Sequence, residues 1–91
     1  MQACHLTISN ALGLHARAAA KFVHIAGRFA AHIRVGRGDR EVDGKSIMGL
    51  LLLAAGHGST IRITADGADE VDAINALCRL VADGFDEPPC A

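Results

Sequence analysis

The sequence predicts a two-layer α/β sandwich built as one small domain, with its elements in the order β-α-β-β-α-β-α. Three observations carry this expectation. The chain has 91 residues, which suits one compact domain and leaves little room for a second. Segments that alternate apolar and polar residues are interleaved with segments whose apolar residues recur at helical spacing. The hydrophobic fraction, 51%, is far above what a disordered chain carries. No repeat or internal linker interrupts the pattern. The domain is expected over residues 1–87, followed by a flexible tail, residues 88–91, that begins with Pro88-Pro89.

Each element has its own signal. Leu6 and Ile8 alternate with Thr7 and Ser9, giving a half-buried strand from about Ala3 to Ser9, and Asn10 to Gly13 form a loop. From Ala16 the period changes: Ala16, Ala19, Ala20, Val23 and Ala26 share a helical face, and Gly27 is a stop signal. Ile33 and Val35 alternate with His32 and Arg34 in a second strand. After the turn Gly36-Arg37-Gly38-Asp39, residues Arg40 to Val42 return as a third. That link is too short for a crossover, so this pair is antiparallel. Asp43-Gly44-Lys45-Ser46 opens a short helix, Ile47 to Leu53, which Gly56-His57-Gly58 brings to an end. Ile61, Ile63 and Ala65 alternate with Arg62 and Thr64 in a fourth strand that stops at Asp66-Gly67. Val71, Ile74, Leu77, Cys78 and Val81 form the apolar stripe of a last helix, with Asp69 and Glu70 at its start, where the helix dipole favours negative charge. Helices layered on a sheet of short strands make a two-layer sandwich.

Composition excludes several functions. The aromatic residues are three Phe, without Tyr or Trp, so stacking platforms for single-stranded nucleic acid are missing. A net charge of −1 leaves no electrostatic footprint for DNA or RNA. Cys4, Cys78 and Cys90 are widely spaced and form no Cys-x-x-Cys pair, so reduced thiols are expected, with no metal site and no cofactor. The start, Met-Gln-Ala-Cys-His, lacks the basic and apolar regions of a signal peptide, and the longest apolar run, Ile47 to Ala55, is too short to span a bilayer. A soluble cytoplasmic protein without membrane partners is the expectation. Gly44-Lys45-Ser46 could end a P-loop, but the position required for its first glycine is Asp39. His57 reads as a loop residue, and His5, His24 and His32 read as surface histidines.

The chemistry concentrates at Gly13-Leu14-His15-Ala16-Arg17, where a loop becomes a helix. A side chain there faces the unpaired N–H groups of the first turn, an anion site in waiting. The positive helix end disfavours imidazolium, which is expected to lower the pKa of His15 and keep the ring a neutral nucleophile. Arg17 could add charge-assisted bonds to phosphate oxygens. Phosphoryl transfer demands mainly positioning and charge stabilisation, so these groups could suffice. Spacing by itself leaves a second reading open, in which His15 only caps the helix and Arg17 is a solvated side chain.

Ser46 suits the N-cap of the short helix. Ile47, Met48 and Leu50 to Leu53 are more apolar surface than one face of that helix can bury. Leu50 and Leu53 are expected in the core; Ile47, Met48 and Leu51 are expected to remain exposed near His15. Such patches mark partner sites, and methionine adapts to several partners. Lys21, Lys45 and Arg17 would add a basic rim that steers acidic partners.

Gly13-Leu14-His15-Ala16-Arg17 with Ala19, together with Lys45-Ser46-Ile47-Met48-Gly49, resembles the HPr family. These are the histidine-containing phosphocarriers of the bacterial phosphoenolpyruvate-dependent phosphotransferase system. The resemblance runs from the first strand to the last helix. It implies an α+β open-faced sandwich: an antiparallel four-stranded sheet in the order 1-4-2-3, with three helices on one face. It also implies that His15 is phosphorylated at Nδ1 by enzyme I and that Arg17 attends the phosphate. The phosphoryl group would pass to an enzyme IIA, in sugar transport or in a nitrogen-type regulatory branch, toward which Ala18 and the ending Gly84-Phe85-Asp86-Glu87 lean. Such a protein is a relay without turnover of its own. The resemblance further implies that Ser46 is phosphorylated by HPr kinase/phosphorylase where that kinase is present. Ala16, Ala20, Lys21, Lys45, Ile47, Met48 and Leu51 would lie on the partner surface. Many family members have Pro where this chain has Ala18, and alanine is expected to leave the helix start more mobile. A monomer suits a carrier that presents His15 to two partners in turn. The alternative is a regulatory docking module that uses its exposed apolar helix without phosphotransfer.

Overall fold

The computed structural model describes residues 1–87. The tail expected over 88–91 lies outside the described residues. Four strands, β1 (Gln2–Thr7), β2 (His32–Arg37), β3 (Arg40–Asp43) and β4 (Thr60–Asp66), form one antiparallel sheet in the order β1-β4-β2-β3. Helices α1 (Ala16–Ala26), α2 (Ile47–Leu52) and α3 (Glu70–Ala82) complete the expected α+β sandwich. A single turn over Gly84–Asp86 follows α3.

The alternation read in the strands separates the two faces of the sheet. Ile33, Val35, Ile61, Ile63 and Ala65 point inward and are buried, while His32, Arg34 and Thr60 are exposed. The β2–β3 hairpin closes on Gly38-Asp39 alone, because Arg37 pairs with Arg40, and Gly38 takes the left-handed conformation (φ +62°) that such a turn requires. β2 therefore reaches two residues further than the four-residue turn expected from sequence. Every fully buried position of the core is apolar; Asn10 is the one buried polar residue among those described.

The helical faces differ from the simplest periodic reading. In α1 the buried residues are Ala18, Ala19, Phe22 and Ala26, whereas Ala16 and Ala20 face solvent. Phe22, the one large side chain on this face, decides the rotation, because burying an aromatic outweighs burying two methyl groups. In α3, Ala73, Ile74, Leu77, Leu80 and Val81 are buried and Val71 is exposed. Asp69 stands at the N-cap of α3 without capping it: its carboxylate accepts from the N–H groups of Ala30 and Ala31, both at 2.8 Å. These two bonds join the start of α3 to the segment that enters β2.

The expectation of reduced thiols is corrected for two of the three cysteines. The Sγ atoms of Cys4 in β1 and Cys78 in α3 are bonded, with Cα atoms 7.3 Å apart. The pairing arises because α3 lies against β1 and β4, which brings together residues 74 positions apart; no local spacing encodes it. Cys90 lies outside the described residues. Among the described residues, no helix is long and apolar enough to cross a membrane.

Candidate functional site: a histidine at a helix entrance

Gly13 sets the geometry of the site. Its φ is +66°, and a Cβ there would meet Ala55 O and Gly56 Cα at 2.6 Å, so both backbone freedom and space demand glycine. Leu14 is buried and its N–H donates to Ala55 O (2.8 Å), while Asn10 Nδ2 donates to Gly13 O (2.7 Å). The loop is thus held from both sides as it turns into α1.

His15 occupies the N-cap of α1 with extended backbone (φ −81°, ψ 179°). Its carbonyl accepts the first helical bond, from Ala19 N at 2.8 Å. Its side chain replaces the usual Ser, Thr or Asp cap, with Nδ1 accepting from Arg17 N at 3.3 Å. The ring is partly buried, its side chain 26% exposed, and an open cleft beside it is lined by Leu12, His15, Ala16, Arg17 and Glu87. The ring does cap the helix, as one of the readings left open by the spacing expects, and it does so through Nδ1. Ala18 is fully buried beneath this turn.

The other ring nitrogen has a partner that sequence reasoning missed. His15 Nε2 is hydrogen-bonded to Glu87 Oε1. The expected surroundings of His15, a helix end and Arg17, therefore lacked a carboxylate on the far edge of the ring. Glu87 Oε2 also accepts from Asn10 Nδ2 (3.3 Å). The Glu87 carboxyl is held below the usual carboxylate value, chiefly by the hydrogen bond from His15; Asn10 and the charges of His15 and Lys21 add to this against partial desolvation. The segment that delivers Glu87 is anchored: Phe85 is fully buried and its carbonyl accepts from Lys21 Nζ at 2.7 Å. Gly84, Phe85 and Asp86 all take positive φ, which for the two non-glycine residues costs on the order of 1–2 kcal/mol each. Nothing near His15 in sequence signals Glu87, since 72 positions separate them.

The second motif is also in place. Ser46 is the N-cap of α2, its Oγ accepting from Gly49 N at 3.1 Å. Leu50 and Leu53 are fully buried, as expected; Ile47 and Met48 are exposed. Leu51, expected among the exposed residues, is half-buried against the core, and Leu52 takes its place in the solvent. A one-residue shift follows from anchoring α2 through Leu50 and Leu53, which turns position 52 outward. Leu12, unremarked in the sequence, adds exposed apolar surface beside His15. Lys45 Nζ donates to Phe29 O at 2.7 Å, so Lys45 and Lys21 both tie loops together through backbone carbonyls. Among the described residues, no group of three or more His, Cys, Asp or Glu is placed to hold a metal.

Fold and site define a small open-faced α/β protein that presents one imidazole nitrogen, amid backbone N–H groups, at the entrance to a helix. A family profile described as the PTS HPr component phosphorylation site matches residues 3–83. The chain is 52% identical to the phosphocarrier protein HPr of Pseudomonas aeruginosa, over 96% of this chain and 98% of that one. It is 44% identical to the phosphocarrier protein NPr of Shewanella violacea, over 90% of each. Among solved structures, an HPr of Thermoanaerobacter tengcongensis superposes with a TM-score of 0.93 at 40% identity, covering 97% of this chain and 99% of that one. Crh, a catabolite repression protein of Bacillus subtilis solved as a domain-swapped dimer, gives 0.75 at 35% identity, over 87% and 91%. The chain belongs to the HPr family of the phosphotransferase system.

Proposed function

We propose that this protein is a phosphocarrier that accepts a phosphoryl group on His15 Nδ1 from phosphorylated enzyme I and passes it to an enzyme IIA. The observation that carries the reading is the position of Nδ1 at the N-terminus of α1, within reach of the Arg17 N–H. In the transfer, the Nδ1 lone pair forms a bond to phosphorus while the bond from phosphorus to the donor atom breaks, its electron pair staying with the donor. The Arg17 N–H, released from Nδ1, then donates to a phosphate oxygen, and the exposed Arg17 side chain lining the cleft adds a cationic partner. Delivery to the acceptor reverses these steps. Exposed Ala16, Ala20, Ile47 and Met48, with Leu12 and Leu52, form the docking surface on the packed pair α1 and α2. Lys21 and Lys45 border it while holding their loops. The protein acts in the cytoplasm as a monomer. Relatives named HPr and NPr leave the acceptor as a sugar-type or a nitrogen-type enzyme IIA.

Incubation with phosphoenolpyruvate and enzyme I tests this reading: wild type gains acid-labile phosphate and His15→Ala gains none. Equal labelling of the two would overturn it in favour of a docking module. Chase of the labelled protein with either type of enzyme IIA identifies the acceptor. Regulation enters through Ser46, where a phosphate would sit on the N-terminus of α2 and place negative charge beside the docking surface. ATP and HPr kinase are expected to label wild type but not Ser46→Ala.

A further inference from the structure

The two nitrogens of His15 have different partners, and the difference has a chemical consequence. A neutral imidazole carries one N–H and one bare nitrogen. Nδ1 accepts a hydrogen bond from a backbone N–H, so it is the bare nitrogen. The proton is then on Nε2, where it meets Glu87 Oε1. A protonated Nδ1 would confront the Arg17 N–H with a second donor and leave Nε2, now without a hydrogen, against a carboxylate. Both contacts would turn repulsive together. We infer that Glu87 is a positioning residue, holding His15 in the Nε2–H form so that Nδ1 keeps its lone pair for phosphorus.

This inference rests on the phosphocarrier reading and adds a residue to it. Three features show that the contact is built into the fold. Asn10 is buried and its Nδ2 reaches both Gly13 O and Glu87 Oε2, so one side chain sets the loop before His15 and the carboxylate behind it. Phe85 locks the preceding turn into the core, and Lys21 Nζ holds its carbonyl from α1. The left-handed backbone of Phe85 and Asp86 persists only because those anchors over-determine it, and it aims Glu87 at the ring. Glu87 Oε1 and Arg17 N thus bracket one imidazole from opposite edges, fixing its tautomer and its rotation. When Nδ1 bonds to phosphorus and the ring gains positive charge, the same carboxylate is there to offset it. The Nε2 proton stays on the ring throughout, so Glu87 transfers no proton and touches no phosphate.

The test is nitrogen-15 NMR of the His15 ring in the full chain, wild type against Glu87→Ala and Glu87→Asp, at a pH where the ring is neutral. Wild type is expected to show a bare Nδ1 and a protonated Nε2. Glu87→Ala is expected to show a mixture of tautomers at a modestly lower melting temperature, with phosphate uptake from enzyme I about tenfold slower, the loss expected for one charge-assisted hydrogen bond at a partly buried site. Glu87→Asp is expected to recover part of the wild-type tautomer ratio. If the tautomer ratio in Glu87→Ala matches wild type, the inference is overturned whatever the uptake rate. If wild type itself takes no phosphate while the tautomer ratio shifts as expected, the phosphocarrier reading fails and the positioning contact stands.

Discussion

Lys21 Nζ, in the second turn of α1, donates to the carbonyl of Phe85 at 2.7 Å, which ties the helix that starts at His15 to the turn that follows α3. The residue that sequence placed on a basic rim is therefore also a brace for the site. Burial of Phe85 and the Lys21 contact are two parts of one attachment.

Phe85→Ala is expected to cost about 3–5 kcal/mol of unfolding free energy, as large-to-small changes at fully buried aromatic positions do. It should also release Glu87 from His15. Urea titration reads the first effect, and the His15 ring spectrum of the folded fraction reads the second. A loss under about 1 kcal/mol would show that the turn does not belong to the core.

Gly13→Ala is expected to damage both stability and phosphate uptake. Left-handed backbone at alanine costs about 1–2 kcal/mol by itself. The new Cβ would also stand 2.6 Å from Ala55 O, so the loop must move and carry His15 with it. Thermal melting and labelling through enzyme I are expected to fall together. Alanine at Gly58, where φ is also positive but no atom lies within 4 Å, should cost only the backbone component.

The Cys4–Cys78 bond closes a separation of 74 residues, for which chain-entropy arguments give an upper figure of about 4 kcal/mol. The 7.3 Å Cα separation lies just beyond the usual range for disulfides, so the net gain should be smaller. Air-oxidised wild type is expected to melt above Cys4→Ser, and the gap should close in excess dithiothreitol. An unchanged gap in reductant would mean that the cysteine side chains contribute by packing alone.

The Asp69 clamp predicts a pH dependence. Its carboxyl is lowered from the ordinary 3.8, chiefly by the Ala30 N–H and further by Ala31 and the charge of Lys45, against partial desolvation. A carboxylate whose folded value lies below its unfolded one adds stability fully present above the unfolded value and lost as pH falls through the folded one. The contribution is therefore complete at neutral pH, begins to fall near the unfolded value of 3.8 and is lost as the pH drops further through the folded value. Asp69→Asn should melt below wild type at neutral pH, with the two curves converging in acid. A gap that does not narrow as the pH falls below 3.8 would place the effect in the shape of the side chain and not in its charge.

Local pattern determined much of this protein. Alternation every two residues marked β1, β2 and β4, because a sheet with one solvated face must write its burial into that period, while the turn before Arg40 marked β3. Helical spacing located α1 and α3, start and stop signals located α2, and the short motifs Gly13-Leu14-His15-Ala16-Arg17 and Ser46 at the head of α2 were legible because caps and turns are built from neighbours in sequence. What tertiary structure decided were relationships between distant segments. Phe22, not the alanine stripe, set the rotation of α1, because the largest apolar side chain takes the core. Leu52 replaced Leu51 at the surface once Leu50 and Leu53 were anchored. Cys4 met Cys78, and Glu87 met His15, only because the order β1-β4-β2-β3 folds the last helix back across the first strand and brings the segment after α3 to the entrance of α1. The sequence by itself singled out His15 as the candidate nucleophile, through two short motifs that resemble the family and are built from neighbouring residues. Which nitrogen of that ring carries the proton is set by the local Arg17 N–H on Nδ1 together with a carboxylate that folding alone brings near, and that second contact has no local pattern.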